Sequence, residues 1–211
     1  MKTGIFFDGY HTYKKLNNED SNFNYGFYDY NKVIAKIVST INASTKETPE
    51  CKIAFKGWYQ GILDYYQDGQ DVKNSNDIDF IKGSYWKLKN ERNHHLSLIK
   101  AGLEPVYLPI RNSDSKEKGV DVAMSVSAIN KAHNLGLKCV ILVTNDSDFE
   151  PLIHNLRKYG VYTIVISFKL NGQNDSNRLK EVSDLHLTFE DIISDAEINS
   201  YLEQKEELSS I

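Results

Sequence analysis

The sequence predicts an α/β fold built on a doubly wound parallel sheet. Short apolar runs alternate with helical patterns along the whole chain. The run Lys138–Val143 is apolar at every position after its lysine, with no alternation, as in a central strand covered on both faces. Gly102, Gly136 and Gly160 each stand where a helical pattern stops and an apolar run begins.

The elements follow in order. Thr3–Phe7 is a first strand, ending at Asp8-Gly9, a turn signal. Asp29–Ile41 places Val33, Ile34, Ile37, Val38 and Ile41 on one face of a helix. Cys51–Tyr59 is a second strand. Asp77–Ala101 carries a long helical pattern, and Leu103–Ile110 is a third strand. Lys116–Gly119 is a charged loop before a helix at Val120–Leu135. Lys138–Val143 is the fourth strand, Phe149–Tyr159 a helix and Val161–Phe168 the fifth strand. Leu185–Phe189 reads as a short sixth strand and Asp191–Leu208 as a polar closing helix. Asn17–Tyr25 and Asp64–Asp79, rich in Asn, Asp and Gln, read as long loops or insertions.

A chain of 211 residues suits one domain with a real core. Its 40% hydrophobic and 26% charged residues argue against disorder. The formal net charge of −4 excludes a chain that binds nucleic acid by its overall charge. Any such contact must come from a local basic patch beside an acidic centre. Cys51 and Cys139 lie in apolar runs, with neither metal-ligand spacing nor a disulfide framework. No apolar run approaches the ~18 residues that a membrane span needs. No membrane partner is expected, and a reducing, cytoplasmic setting follows.

In open α/β sheets, sites form beyond the carboxyl ends of the strands, where strand order reverses. Asp8 follows the first strand, and Thr144-Asn145-Asp146-Ser147-Asp148 the fourth. The loop after the third delivers Lys118-Gly119-Val120-Asp121 to a helix start. Three segments thus aim carboxylates at one edge. Clustered carboxylates repel and call for a cation, and oxygen ligands select Mg²⁺ or Mn²⁺. Such an ion can activate water and stabilise charge on phosphorus. Each acid also has a purely structural reading. Asp8-Gly9 is a common turn, Asp146 and Asp148 can cap a helix, and Asp121 can complement a helix dipole.

Phe6-Phe7-Asp8-Gly9, then Lys118-Gly119-Val120-Asp121-Val122-Ala123, then Thr144-Asn145-Asp146-Ser147-Asp148-Phe149-Glu150-Pro151-Leu152-Ile153 resemble the NYN domain, a branch of the PIN-like nucleases. The resemblance runs over Lys2–Phe189. It implies a three-layer α/β/α domain over residues 1–190, with a parallel sheet of order 3-2-1-4-5. Residues 191–211 are then a C-terminal helical extension. It also implies metal-dependent endoribonuclease activity, with Mg²⁺ or Mn²⁺ held by Asp8, Asp121 and Asp146. Asp148 is implied as a further ligand or outer acid. Substrate contacts fall to Lys118, His11, Tyr10 and Asn145. The implied partner is single-stranded or structured RNA, with DNA also open and self-association allowed.

Two positions depart from the family. His11 stands where Asn is usual, and Ser127 where an acid is frequent. Six residues on a helix is ~600° of rotation, so Ser127 lies a third of a turn from Asp121. A serine cannot supply a carboxylate charge, whereas His11 can hydrogen-bond a metal water or a phosphate. These departures support a second reading, a non-catalytic module that binds RNA or a protein. A haloacid-dehalogenase-like site is opposed by Tyr10, which stands where a second Asp is needed. A Toprim-like site is opposed by Asp8, which stands in place of a Glu.

Lys82, Lys87, Lys89 and Arg92, interleaved with Tyr85 and Trp86, offer further RNA contacts, although a solvated helix whose aromatics pack inward is the commoner case. Tyr10 and Tyr13 can stack on a base or pack in the core. His94 and His95 diverge by ~100° on a helix and make a poor metal pair.

Overall fold

The computed structural model describes residues 1–16, 28–44, 49–63, 91–110, 118–169 and 176–201. The expected loops Asn17–Tyr25 and Asp64–Asp79 lie outside these. So do Lys82, Tyr85, Trp86, Lys87 and Lys89, and the expected closing helix beyond residue 201.

Six strands form the sheet: β1 (Lys2–Asp8), β2 (Lys52–Leu63), β3 (Glu104–Ile110), β4 (Cys139–Val143), β5 (Tyr162–Ser167) and β6 (Leu185–Thr188). All pair in parallel, in the order β3-β2-β1-β4-β5-β6. The expected order stands, and Leu185–Thr188 adds the sixth strand beside β5. The outermost strand β3 carries Pro105 and Pro109, which lack the N–H a central strand must donate.

The helices are α1 (Gly9–Leu16), α2 (Tyr30–Ser44), α3 (residues 91–100), α4 (Val120–Leu135), α5 (Glu150–Lys158), α6 (Ser176–Val182), α7 (Phe189–Ile192) and α8 (Asp195–Ser200). The two-residue period of the strands divides the core into two layers. Ile5, Phe7, Ile141 and Ile164 face α2, α3 and α7, meeting Val33, Ile37, Leu98 and Phe189. Phe6, Val140, Leu142 and Val165 face α4, α5 and α6, meeting Met124, Ala128, Ile153 and Leu179. Cys51 and Cys139 are buried free thiols in the first layer.

Three expectations change. Asp8-Gly9 is not a loop turn, since β1 runs directly into α1 at Gly9. A Cβ on Gly9 would stand 2.5 Å from Trp58 Nε1 and 2.8 Å from the Tyr59 carbonyl oxygen. Glycine is there because β2 passes so close. The helix expected from Phe149 opens with a 3₁₀ turn at Ser147–Phe149. The closing helix is, among the described residues, two short helices parted by extended backbone at Ile193 (φ −131°, ψ 116°). Burial of Phe189, Ile192 and Ile193 in the core holds this segment against the domain and forces the break.

Gly102, Gly136 and Gly160 all have positive φ, as the helix-stop reading requires. At Gly136 the backbone N–H caps α4 through the Ala132 and His133 carbonyls.

Candidate functional site

Strand order reverses at β1, which lies between β2 and β4. Phe7 pairs with Val143, so the next residues, Asp8 and Thr144, leave the sheet side by side. This is the crevice where an open α/β sheet places its site.

Asp8 is buried, and its carboxylate accepts three hydrogen bonds. Oδ2 accepts from His11 Nδ1 at 2.7 Å and from Thr144 Oγ1 at 2.9 Å. Oδ1 accepts from the His11 backbone N–H at 3.3 Å. Helix α1 makes this possible, because His11 stands in its first turn and its N–H is one of the unsatisfied donors there. Thr12 Oγ1 donates to the Asp8 carbonyl at 2.7 Å, tying the next turn to the strand end. Bonding to a carboxylate puts the imidazole proton on Nδ1, which makes Nε2 the acceptor of the neutral ring. His11 was expected at a metal water or a phosphate; its Nδ1 is instead committed to Asp8.

Thr144 relays the arrangement to the second acid. Its Oγ1 accepts from the Asp146 N–H at 3.1 Å while donating to Asp8. Asp146 caps the 3₁₀ turn, with Oδ1 accepting from the Asp148 N–H at 2.9 Å. The capping reading of Asp146 is therefore correct, and it coexists with a place in the crevice. Asp148 is exposed in the first position after Ser147.

Asp121 comes from the first turn of α4 and is half-buried. The helix enters through Gly119, at φ 82° and ψ 2°, a left-handed conformation that a side chain resists. Lys118, just before it, is exposed. Helix α4 packs against β1, β2 and β4 and reaches the 3₁₀ turn, which brings its first turn to the same edge as Asp8 and Asp146. Among the described residues, no three His, Cys, Asp or Glu side chains converge as a ready-made metal cluster.

Tyr10 is 42% exposed, with its ring edge-on to His11 at a centroid distance of 5.6 Å. Tyr13 faces inward instead and meets His94 edge-on. Asn145, expected at the substrate, is buried. Its Nδ2 donates to the Phe168 carbonyl at 2.9 Å and its Oδ1 accepts the Phe168 N–H at 2.5 Å. That pairing clamps the ends of β4 and β5 together and takes the amide away from substrate. Ser127 is turned toward β2, where Tyr59 Oη donates to its Oγ at 2.6 Å. His94 and His95 do diverge. His94 is buried among Tyr13, Tyr30 and Trp58, and His95 Nδ1 lies 3.1 Å from Tyr107 Oη.

Thr144 was missed as a site residue. The available signal was its place between the last strand residue and two acids, at the level of Asp8. Two shallow grooves line the opposite, amino-terminal edge of the sheet, at Met1, Lys52 and Ile53 and at Ile34, Val38 and Asn42. They lie away from the acids.

The profile of the NYN domain matches residues 2–191. The chain belongs to the NYN domain family. NYN domains are part of the PIN-like nuclease superfamily and are generally nucleases. One solved structure, a protein of unknown function VPA0982 from Vibrio parahaemolyticus RIMD 2210633, is 21% identical with a TM-score of 0.54. The match covers 89% of this chain and 91% of that one, and it supports the shared fold of this NYN domain. No curated protein matches the chain.

PIN-like nucleases usually use divalent metals, and the donor chemistry of this NYN domain suits one. Asp8, Asp121 and Asp146 offer only carboxylate oxygens, which favours a hard ion. Mg²⁺ commonly rests on one or two carboxylates, with water and substrate phosphates completing its shell. Asp8 and Asp146, linked through the Thr144 hydroxyl and the Asp146 backbone N–H, carry oxygens of that kind.

Proposed function

We propose that this NYN domain is a metal-dependent endoribonuclease. The observation that carries the reading is the chain of hydrogen bonds from Asp8 through Thr144 to Asp146, at the point where strand order reverses. It ties the Asp8 carboxylate to the backbone of Asp146, which supports reading the two acids as one site.

Asp8 and Asp146, with Asp121 from α4, would hold Mg²⁺ or Mn²⁺. When bound, the ion supplies Lewis acidity and lowers the pKa of water. His11 and Thr144 orient the Asp8 carboxylate, as partners of ligating carboxylates do in metal sites generally. Asp148, exposed beside Asp146, orients the attacking water or holds a second ion. Lys118 steadies a substrate phosphate, and the exposed ring of Tyr10 stacks on a base. The substrate is RNA, single-stranded or structured, with DNA as a second candidate. A cytoplasmic setting belongs to this reading, because the sequence carries no disulfide framework. Among the described residues, no helix is long and apolar enough to cross a membrane.

Two observations favour a second reading, a module that binds RNA or a protein without cutting. The Asp8 carboxylate is engaged by His11 and Thr144, and Ser127 stands bonded to Tyr59 where the family often has an acid. The deciding experiment incubates labelled single-stranded and hairpin RNA with the protein in Mg²⁺, Mn²⁺ or EDTA, beside Asp146→Asn. Cleavage that needs metal and is lost in the variant supports the nuclease. RNA bound but left intact by both proteins, in every metal, moves the reading to the binding module.

A further inference from the structure

The amino-terminal edge of the sheet, at the far end from the acids, carries a row of lysines. Lys52 is the ladder partner of Lys2, so their side chains leave neighbouring strands at one level and on one face. Lys138 stands on the other side of Lys2, where its N–H donates to the Lys2 carbonyl at 2.8 Å. Cys51, Ile53 and Cys139 belong to the first core layer. The two-residue period therefore sends Lys52 and Lys138 to the opposite face, together with Lys2. All three lysines are exposed.

Neighbouring strands lie ~4.8 Å apart, so three cationic side chains start within ~10 Å of one another. Like charges directly opposite on neighbouring strands cost stability. Among the described residues, no ion pair reaches any of the three. Glu50, two residues before Lys52, is exposed and forms none with them. By contrast Lys36, Lys131 and Lys169 each hold a carboxylate at 2.9 Å or less. A net charge of −4 means that the row does not follow from a generally basic composition.

A line of fixed positive charge fits a line of negative charge, and a nucleic-acid backbone presents one at every nucleotide. Lysine suits that contact, as a point charge for a phosphate oxygen. The acidic crevice repels the same backbone, so affinity calls for cations elsewhere on the domain.

We propose that Lys2, Lys52 and Lys138 bind the phosphate backbone of RNA, without regard to sequence, at the amino-terminal edge of the sheet. The row builds on the RNA reading given above, whether or not the RNA is cut. Strand β1 sets its distance from the acids. Six steps of ~3.3 Å from Lys2 to Asp8 make ~20 Å. At ~3.4 Å per stacked nucleotide, an RNA must exceed about six nucleotides to touch both.

Fluorescence anisotropy with labelled RNA of about 20 nucleotides, in EDTA, measures binding without cleavage, over a salt series. Wild type is compared with Lys52→Gln combined with Lys138→Gln. A charge-matched control combines Lys32→Gln with Lys36→Gln on α2, whose lysines already face Asp29 and Glu197. The edge pair should weaken binding on the order of tenfold, alike for unrelated sequences, and flatten the salt slope by about 1.4. The control pair should bind within about twofold of wild type, and Lys52→Arg with Lys138→Arg should bind as wild type does. Thermal melts check the fold, and relief of the repulsion should hold or raise Tm.

An affinity unchanged in the edge pair overturns the row, as does an equal loss in the control pair. So does a wild type that binds no RNA. An edge pair that melts more than about 5 °C below wild type overturns it too, by making the lysines structural. Cleavage assays beside Asp146→Asn separate this row from the nuclease reading. RNA held through the lysines but never cut keeps the row and removes the nuclease. RNA cut with metal, yet bound equally by wild type and edge pair, removes the row and keeps the nuclease.

Discussion

Thr144 Oγ1 donates to Asp8 Oδ2 at 2.9 Å across 136 positions of sequence. The same oxygen accepts the Asp146 N–H. One hydroxyl thus joins the Asp8 carboxylate to the backbone of Asp146. Thr144→Val keeps the shape and removes both bonds. Activity or metal affinity should fall ~10- to 100-fold, as for partners of metal ligands generally. Isothermal titration with Mn²⁺ would measure the loss, and an unchanged affinity would deny Thr144 this role.

His94 is buried among three aromatic rings, and its Nε2 finds no partner among the described residues. Burial, with a smaller contribution from neighbouring His95, pushes its pKa down to about 4. The unfolded chain, near 6.5, binds the proton more readily in between. The stability that His94 contributes is therefore complete above about pH 6.5 and is lost as pH falls toward 4, on the order of 3 kcal/mol in all. Urea unfolding of wild type and His94→Phe at pH 7.5 and pH 5 should show the variant losing less stability on acidification.

Gly9→Ala should destabilise the fold by ~1–3 kcal/mol or more, because the added methyl meets Trp58 and the backbone of β2. Since α1 carries His11, the variant should lose activity out of proportion to stability. Gly136→Ala is the contrast. It meets nothing within 4 Å and suffers only its positive φ, a cost of about 1 kcal/mol. Thermal melts of the two variants would rank them.

Asn145→Ala removes both bonds to Phe168 and leaves its buried N–H and carbonyl without those partners. A loss of ~2–4 kcal/mol is expected from two orphaned buried groups. The fraction that remains folded should bind RNA as wild type does. Weakened binding at full stability would return Asn145 to the substrate side.

Most of the fold was legible because the strands state their burial openly. Cys139–Val143 is apolar throughout and proves to be β4, next to β1 and buried at every position. Glycines marked the ends of α3, α4 and α5 because a left-handed residue is chemically conspicuous. Helix α1 was hidden, since Asp8-Gly9 reads as a turn and the residues after it show no clear helical pattern. Its glycine answers to a neighbouring strand, and nothing local in the sequence reports that approach. The acids of the site were legible from their positions after strands. Their partners were not. Thr144 acquires its role only when β4 lies beside β1, and Asn145 acquires its own only when β5 joins them. The commitment of His11 to Asp8 depends on the unseen helix.

The order of the strands also bears on how the chain is made. Residues 1–110 supply β1, β2 and β3, half of a sheet with two open edges. Prolines at 105 and 109 blunt the edge at β3 by removing donors a foreign strand could use. The edge at β1 has no such protection, and its partner β4 begins only at Cys139. At ordinary rates of synthesis that interval lasts on the order of seconds. A half-sheet formed in that interval would have one unprotected side, the strand that ends in Asp8. Closing that side and assembling the acidic crevice are the same event.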